Sequence, residues 1–189
     1  MNFNRQMKDY ERVLQWAKIF LLDNSFSPYK GKDVAYALLY DMNLLFESYV
    51  GHYFKRQGLD VDLQDQSHHL AYLNESGKFQ LKPDFVINKD KTNEIIADTK
   101  WKILSQFKTH QGVSQNDMYQ LFAYGKKYKQ LQNKKMYLIY PKSDDSFSLN
   151  ENNYNFNKPS NETYLDLKIL FFDLQKTEDP IEPFWLEKD

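Results

Sequence analysis

Residues 81–102, LKPDFVINKDKTNEIIADTKWK, set two apolar runs on either side of a polar turn. Such a stretch reads as two antiparallel strands. With the turn centred on Lys91, Asp84 and Asp98 are equidistant from it and fall opposite one another. Directly opposed residues carry Cβ atoms roughly 4.5–5.5 Å apart, and two ionised carboxylates that close repel. A hairpin built only to hold a sheet together would avoid the pair. A divalent cation reverses the sign, because Mg²⁺ takes one or two carboxylates together with waters and substrate phosphate. Side chains alternate along a strand, so Lys100 shares the face of Asp98 and Lys102 continues it. Lys100 is then placed to orient or help deprotonate a water, or to neutralise a phosphate. Each half alone is ordinary, since Pro-Asp is a common turn dipeptide and Asp-x-Lys arises by chance. The combination at matching heights is what points to chemistry.

The rest of the chain supplies elements that could surround such a hairpin. Residues 5–23 and 33–57 carry apolar residues at helical spacing, broken between them by Pro28 and Gly31. In the second helix the predicted apolar stripe is Leu38, Met42, Leu45, Tyr49 and Tyr53, and Glu47 lies on a mostly apolar flank one turn from Gly51. From about 68 the pattern becomes that of strands: HLAYL, a turn at NESG, then KFQLKPDFVIN, with EIIADTKWKIL as the third strand. Residues 103–113 read as a loop. Ser114 or Asn116 caps a third helix over 116–131, with Asp117 in its first turn and Gln120 and Tyr124 stacked at i, i+4. KKMYLIYP is a short strand, 142–163 a long mobile loop, 164–175 a last strand and 176–189 an acidic tail. The order predicts one domain over 1–189: an N-terminal helix and loop over 1–32, then a core over 33–141. The fold class is mixed α/β (α+β), with a central mixed sheet and flanking helices.

Composition removes several classes. The chain has 189 residues and 41% hydrophobic content, with 14 Tyr and 14 Phe, which excludes a wholly disordered chain. It has no cysteine, hence no disulfide, thiolate metal site or Cys nucleophile, which suits a cytoplasmic location. No signal peptide and no membrane partner are expected, since no apolar run approaches the roughly 18 residues of a membrane span. A net charge of −1 means any phosphate-binding surface must be local. One such stretch is KKYKQLQNKK, though it reads better as a solvated helix end. The adjacent His68 and His69 would point to opposite faces of a strand and make a poor joint metal site.

Together, Pro83–Asp84, Asp98–Thr99–Lys100, an acidic residue on the preceding helix and Gln-x-x-x-Tyr on the following one resemble the PD-(D/E)xK nuclease superfamily. Its core of helix, three-stranded meander, helix and strand matches the predicted order over 33–141. DMNLLFESYV, LKPDFVI, IIADTKWK and NDMYQLFAYGKKY further resemble the nuclease domain of the McrC family, the cleavage subunits of McrBC modified-cytosine restriction systems. This likeness runs over roughly 5 to 175 and is weakest in 142–163. It implies a phage-defence endonuclease that hydrolyses DNA phosphodiesters with Mg²⁺, for which Mn²⁺ would substitute. Asp84, Asp98 and the Thr99 backbone carbonyl would ligate the metal, and Glu47 would support its shell directly or through water. Lys100 would assist the water, with Gln120, Tyr124 and Lys102 auxiliary. The resemblance also implies DNA, a McrB-like GTP-driven AAA+ partner and a dimer on DNA as assemblies. Family members carry a further N-terminal region that docks on that motor, and the helix material opening this sequence is read as belonging beside the nuclease core instead. Two alternatives stay open: a catalytically silent nuclease-fold module that binds DNA or a partner, and an unrelated α+β protein whose acidic hairpin is merely solvated.

Overall fold

The computed structural model describes residues 41–128, 133–143, 153–156 and 164–186. The predicted helix over 5–23, the loop after it and residues 33–40 of the second helix lie outside these, as do most of 142–163. Helix α1, Met42–Arg56, starts where the Asp41 carboxylate accepts from the backbone N–H of Asn43 at 3.0 Å and of Leu44 at 3.4 Å. That cap satisfies donors the first turn leaves open. Lys55 and Arg56 sit in its last turn, where the helix dipole favours cations. The chain then makes β1 (Val61–Leu63), β2 (His69–Leu73), β3 (Ser76–Gln80), β4 (Phe85–Ile87) and β5 (Ile95–Thr99). Helix α2, Gln115–Lys127, opens with a full capping box between Ser114 and Asp117. Strands β6 (Asn133–Pro141), β7 (Asn153–Asn155) and β8 (Tyr164–Phe172) complete the order.

Among the described residues the main sheet runs β1-β4-β5-β6-β8-β7. The β1, β4 and β5 strands form an antiparallel meander, β6 is parallel to β5 and β8 parallel to β6, and β7 is antiparallel to β8. The sheet is therefore mixed, with helices on its faces, as expected. One face buries Val86, Ile96, Met136, Leu138 and Tyr140 with Leu121 and Tyr124 of α2 and with Tyr128, the residue that caps its end. The other buries Phe85, Ile87, Ala97, Tyr137 and Ile139 with Phe46, Val50 and Phe54 of α1. Alternate residues of β4, β5 and β6 thus feed two cores, which is why these strands read as continuous apolar runs. Among the described residues no helix is long and apolar enough to cross a membrane.

Four expectations are corrected. Strands β2 and β3 do not continue into the meander but form a two-stranded sheet of their own. Pro83 cannot donate to a ladder, and residues 81–84 run without regular structure before β4 begins. The meander's first strand is instead β1, only three residues long. In α1 the buried positions are Phe46, Val50 and Phe54, whereas Leu45 and Tyr49 of the predicted stripe are exposed. Both stripes are apolar, and sheet packing selects between them. Residues 153–155 of the expected loop make β7, and in the expected tail Ile181 and Phe184 are buried against the α1 side. Gly51 lets α1 approach closely, since a Cβ there would lie 3.0 Å from the Phe85 ring and 3.1 Å from Leu63.

Candidate active site

The β4–β5 register pairs Phe85 with Ala97, Val86 with Ile96 and Ile87 with Ile95, so the turn is centred on residue 91. Asp84 and Asp98 stand one step beyond the last of these pairs and face each other across the two strands, as the spacing predicts. Asp84 is fixed by a double acceptance at Oδ2, from the Thr99 N–H at 2.7 Å and the Thr99 hydroxyl at 2.6 Å. Asp98 is wholly buried. Its Oδ2 accepts from Lys100 Nζ, while its Oδ1 is buried with no hydrogen-bond partner. Lys100 is pinned at its backbone too, where its N–H donates to the Ile139 carbonyl at 3.0 Å and extends the parallel β5–β6 pairing.

The auxiliary residues form a relay on the α2 side. Lys100 Nζ also donates to Gln120 Oε1 at 3.2 Å, Gln120 Nε2 donates to the Tyr124 hydroxyl at 2.6 Å, and that hydroxyl donates to the Lys82 carbonyl at 2.9 Å. The i, i+4 spacing of Gln120 and Tyr124 therefore carries a polar line from Lys100 to the segment that precedes Asp84. Lys102 turns to Asp117, with Nζ 2.5 Å from Oδ2, and lies over the Tyr140 ring. Asp117 serves α2's cap and this ion pair at once. On the α1 side, Glu47 Oε1 accepts from Gln64 Nε2 at 2.7 Å, and the Gln64 backbone N–H donates to the Asp84 carbonyl at 2.9 Å. The Asn43 side chain accepts from the Trp101 N–H at 3.3 Å, tying α1's first turn to the exit of β5. Nothing in the sequence pattern singles out Gln64 or Asn43: each is a lone amide whose partner lies far along the chain.

The electrostatics follow from burial and crowded carboxylates. Burial first, and then the Asp84 charge, push Asp98 up to about 7 against the pull of Lys100. Burial and Asp84 likewise raise Glu47 above its ordinary range. For Lys100 burial works against the charge, but the charge and hydrogen bond of Asp98 outweigh it and hold the ammonium protonated. Burial and the nearby Asp98 raise Tyr124, so its hydroxyl acts as a neutral donor.

Two nearby carboxylates pressed towards protonation, one with a buried oxygen left without a partner, fit a divalent cation with oxygen ligands. Such a cation would supply the missing partner and restore the ionised form. Among the described residues no group of three from His, Cys, Asp and Glu is gathered to hold a metal ion. His68 stacks on Tyr128 with ring centroids 4.3 Å apart, and His69 lies by Tyr72.

Comparison with known proteins adds the following. A family model described as McrBC 5-methylcytosine restriction system component matches residues 1–141. The match takes in α1, the meander, α2 and β6, hence every site residue named above. No curated protein matches the chain. Among solved structures it is similar to a chain of a refined half-complex from a tetradecameric assembly of Thermococcus gammatolerans McrB AAA+ hexamers with bound McrC. That similarity has 16% identity and a TM-score of 0.49, and it covers 91% of this chain but only 36% of the length of that one.

Proposed function

The chain belongs to the family of McrBC 5-methylcytosine restriction system components, and from that premise we propose that its hairpin site is a Mg²⁺-dependent DNA endonuclease centre. The observation that carries this reading is the buried, unpartnered Oδ1 of Asp98 beside Asp84 and Lys100. Asp84 and Asp98 would hold the cation together with the Thr99 carbonyl, and Glu47 would support its shell through water. When bound, the cation supplies Lewis-acid stabilisation of the charge that develops on the scissile phosphate. Lys100 has three donors, of which one goes to Asp98 and one to Gln120, and the third is left for a phosphate oxygen or the attacking water. Gln120 and Tyr124 keep the ammonium aimed, and Lys102, ion-paired with Asp117, ties the exit of β5 to α2. An AAA+ GTPase of the McrB kind is the proposed partner, DNA the substrate, and a dimer the means of cutting both strands.

Calorimetric titration of Mn²⁺, which takes the same oxygen ligands, tests the metal half of this reading. Saturable binding is expected in the protein and is expected to vanish in Asp98→Ala. Equal binding in both, or none in either with duplex DNA present, would sink it.

A further inference from the structure

Gln64 sits at a junction that neither the spacing of the motif nor the family match assigns. It follows β1 directly, and the β1–β4 register pairs Leu63 with Phe85. Gln64 is therefore the next residue across from Asp84, as Asp84 is from Asp98. Three residues stand in line over three strand ends. The hydrogen bond from the Gln64 N–H to the Asp84 carbonyl continues that ladder by one step.

The backbone at Gln64 is left-handed, with φ +50°. That conformation is uncommon outside glycine, and it persists where the surroundings over-determine it. Here it ends the strand, and the amide side chain meets Glu47 on α1. One residue thus joins the two acidic positions that come from different elements: its main chain holds the Asp84 strand and its side chain holds the Glu47 carboxylate. Glu47 has no other hydrogen-bond partner among the described residues, and it lies where the negative charge of Asp84 repels it. Lys82 and Lys100 attract the same carboxylate, but Gln64 is the residue that gives it a directed hydrogen bond.

We infer that Gln64 is a positioning residue of the site, whose side-chain amide holds Glu47 beside Asp84 and whose left-handed backbone exists to aim that amide. The inference rests on the metal-site reading above and adds to it the group that presents the outer carboxylate. Groups that orient the shell of a metal typically cost ~10–100-fold in affinity when removed.

Gln64→Gly separates the two roles. Glycine accepts φ +50° without strain and retains the N–H to Asp84, so the fold is expected to melt at or near the temperature of the unaltered protein. Only the amide to Glu47 is lost. Mn²⁺ affinity is expected to fall ~10–100-fold. Glu47→Ala is expected to fall by a similar factor, and the double variant no further than Glu47→Ala alone, because residues that act through one another do not add. Gln64→Asn serves as a second probe, since asparagine also adopts the left-handed conformation but has a shorter reach. It too is expected to lose affinity while folding normally. Unchanged affinity in Gln64→Gly would overturn the inference and leave the metal site standing. So would fully additive losses in the double variant. Absence of any Asp98-dependent Mn²⁺ binding in the unaltered protein would overturn the metal-site reading and this inference together.

Discussion

Asp65 gathers one neighbouring and two distant donors around one carboxylate. It accepts from Lys89 Nζ at 2.5 Å, from the Ser67 hydroxyl at 2.5 Å and from the Tyr128 hydroxyl at 2.9 Å. Burial alone would raise its pKa, but the donations from Lys89, Ser67 and Tyr128 prevail and bring it to about 2. An unfolded Asp titrates near 3.9. The folded value is the lower one, so the carboxylate stabilises the fold fully above about pH 4, and that contribution fades as pH falls towards about 2. Asp65→Asn is expected to lower stability at neutral pH and to flatten the acid limb between about pH 4 and 2, followed by thermal melting across that range. An acid limb as steep as that of the unaltered protein would show that other carboxylates govern it. At this scale the hairpin residues were legible, because equal spacing about Lys91 is a property of the sequence and the register obeys it. Gln120 and Tyr124 were legible through helical spacing. Gln64 was not, since its role depends on a left-handed backbone that no neighbouring glycine announces.

Helix α1 shows where element-level reading fails. Its sequence carries two apolar stripes, one through Leu45 and Tyr49 and another through Phe46, Val50 and Phe54, and periodicity alone cannot rank them. The sheet takes the second, and Phe54 ends fully buried among Phe85, Phe184 and Trp185. Phe54→Ala is expected to cost about 3–5 kcal/mol, and Leu45→Ala, at 48% exposure, no more than about 1 kcal/mol. Urea denaturation decides between the stripes, and equal losses would mean that the burial described for α1 is wrong. Strand β1 escaped notice for a different reason: three residues are too few to show a period of two. The β2–β3 pair was legible as a hairpin, but its separation from the main sheet hinges on one proline.

Among the described residues the candidate site lies at the ends of β4 and β5, with α1 on one side and α2 on the other. The order α1, meander, α2, β6 is the one the resemblance implies, with the β2–β3 pair inserted between β1 and β4. On the proposed function, plasmid DNA mixed with the chain, an AAA+ GTPase of the McrB kind, GTP and Mg²⁺ is expected to be cut. Asp98→Ala is expected to slow cutting by on the order of 10²-fold or more, the scale seen when a group that stabilises transition-state charge is removed. Gel analysis reads this directly, and undiminished cutting by the variant would place the chemistry elsewhere. The parallel pairing of β5 with β6 bears also on how such a chain is made. Asp84, Asp98 and Lys100 leave the ribosome before Gln120, and well before Ile139, whose carbonyl receives the Lys100 N–H. A growing chain can bring its two carboxylates and Lys100 together early, but it still lacks Gln120 and the Ile139 carbonyl that complete the hold on that lysine. A chain that stops short of β6 is thus expected to lack the backbone anchor of Lys100.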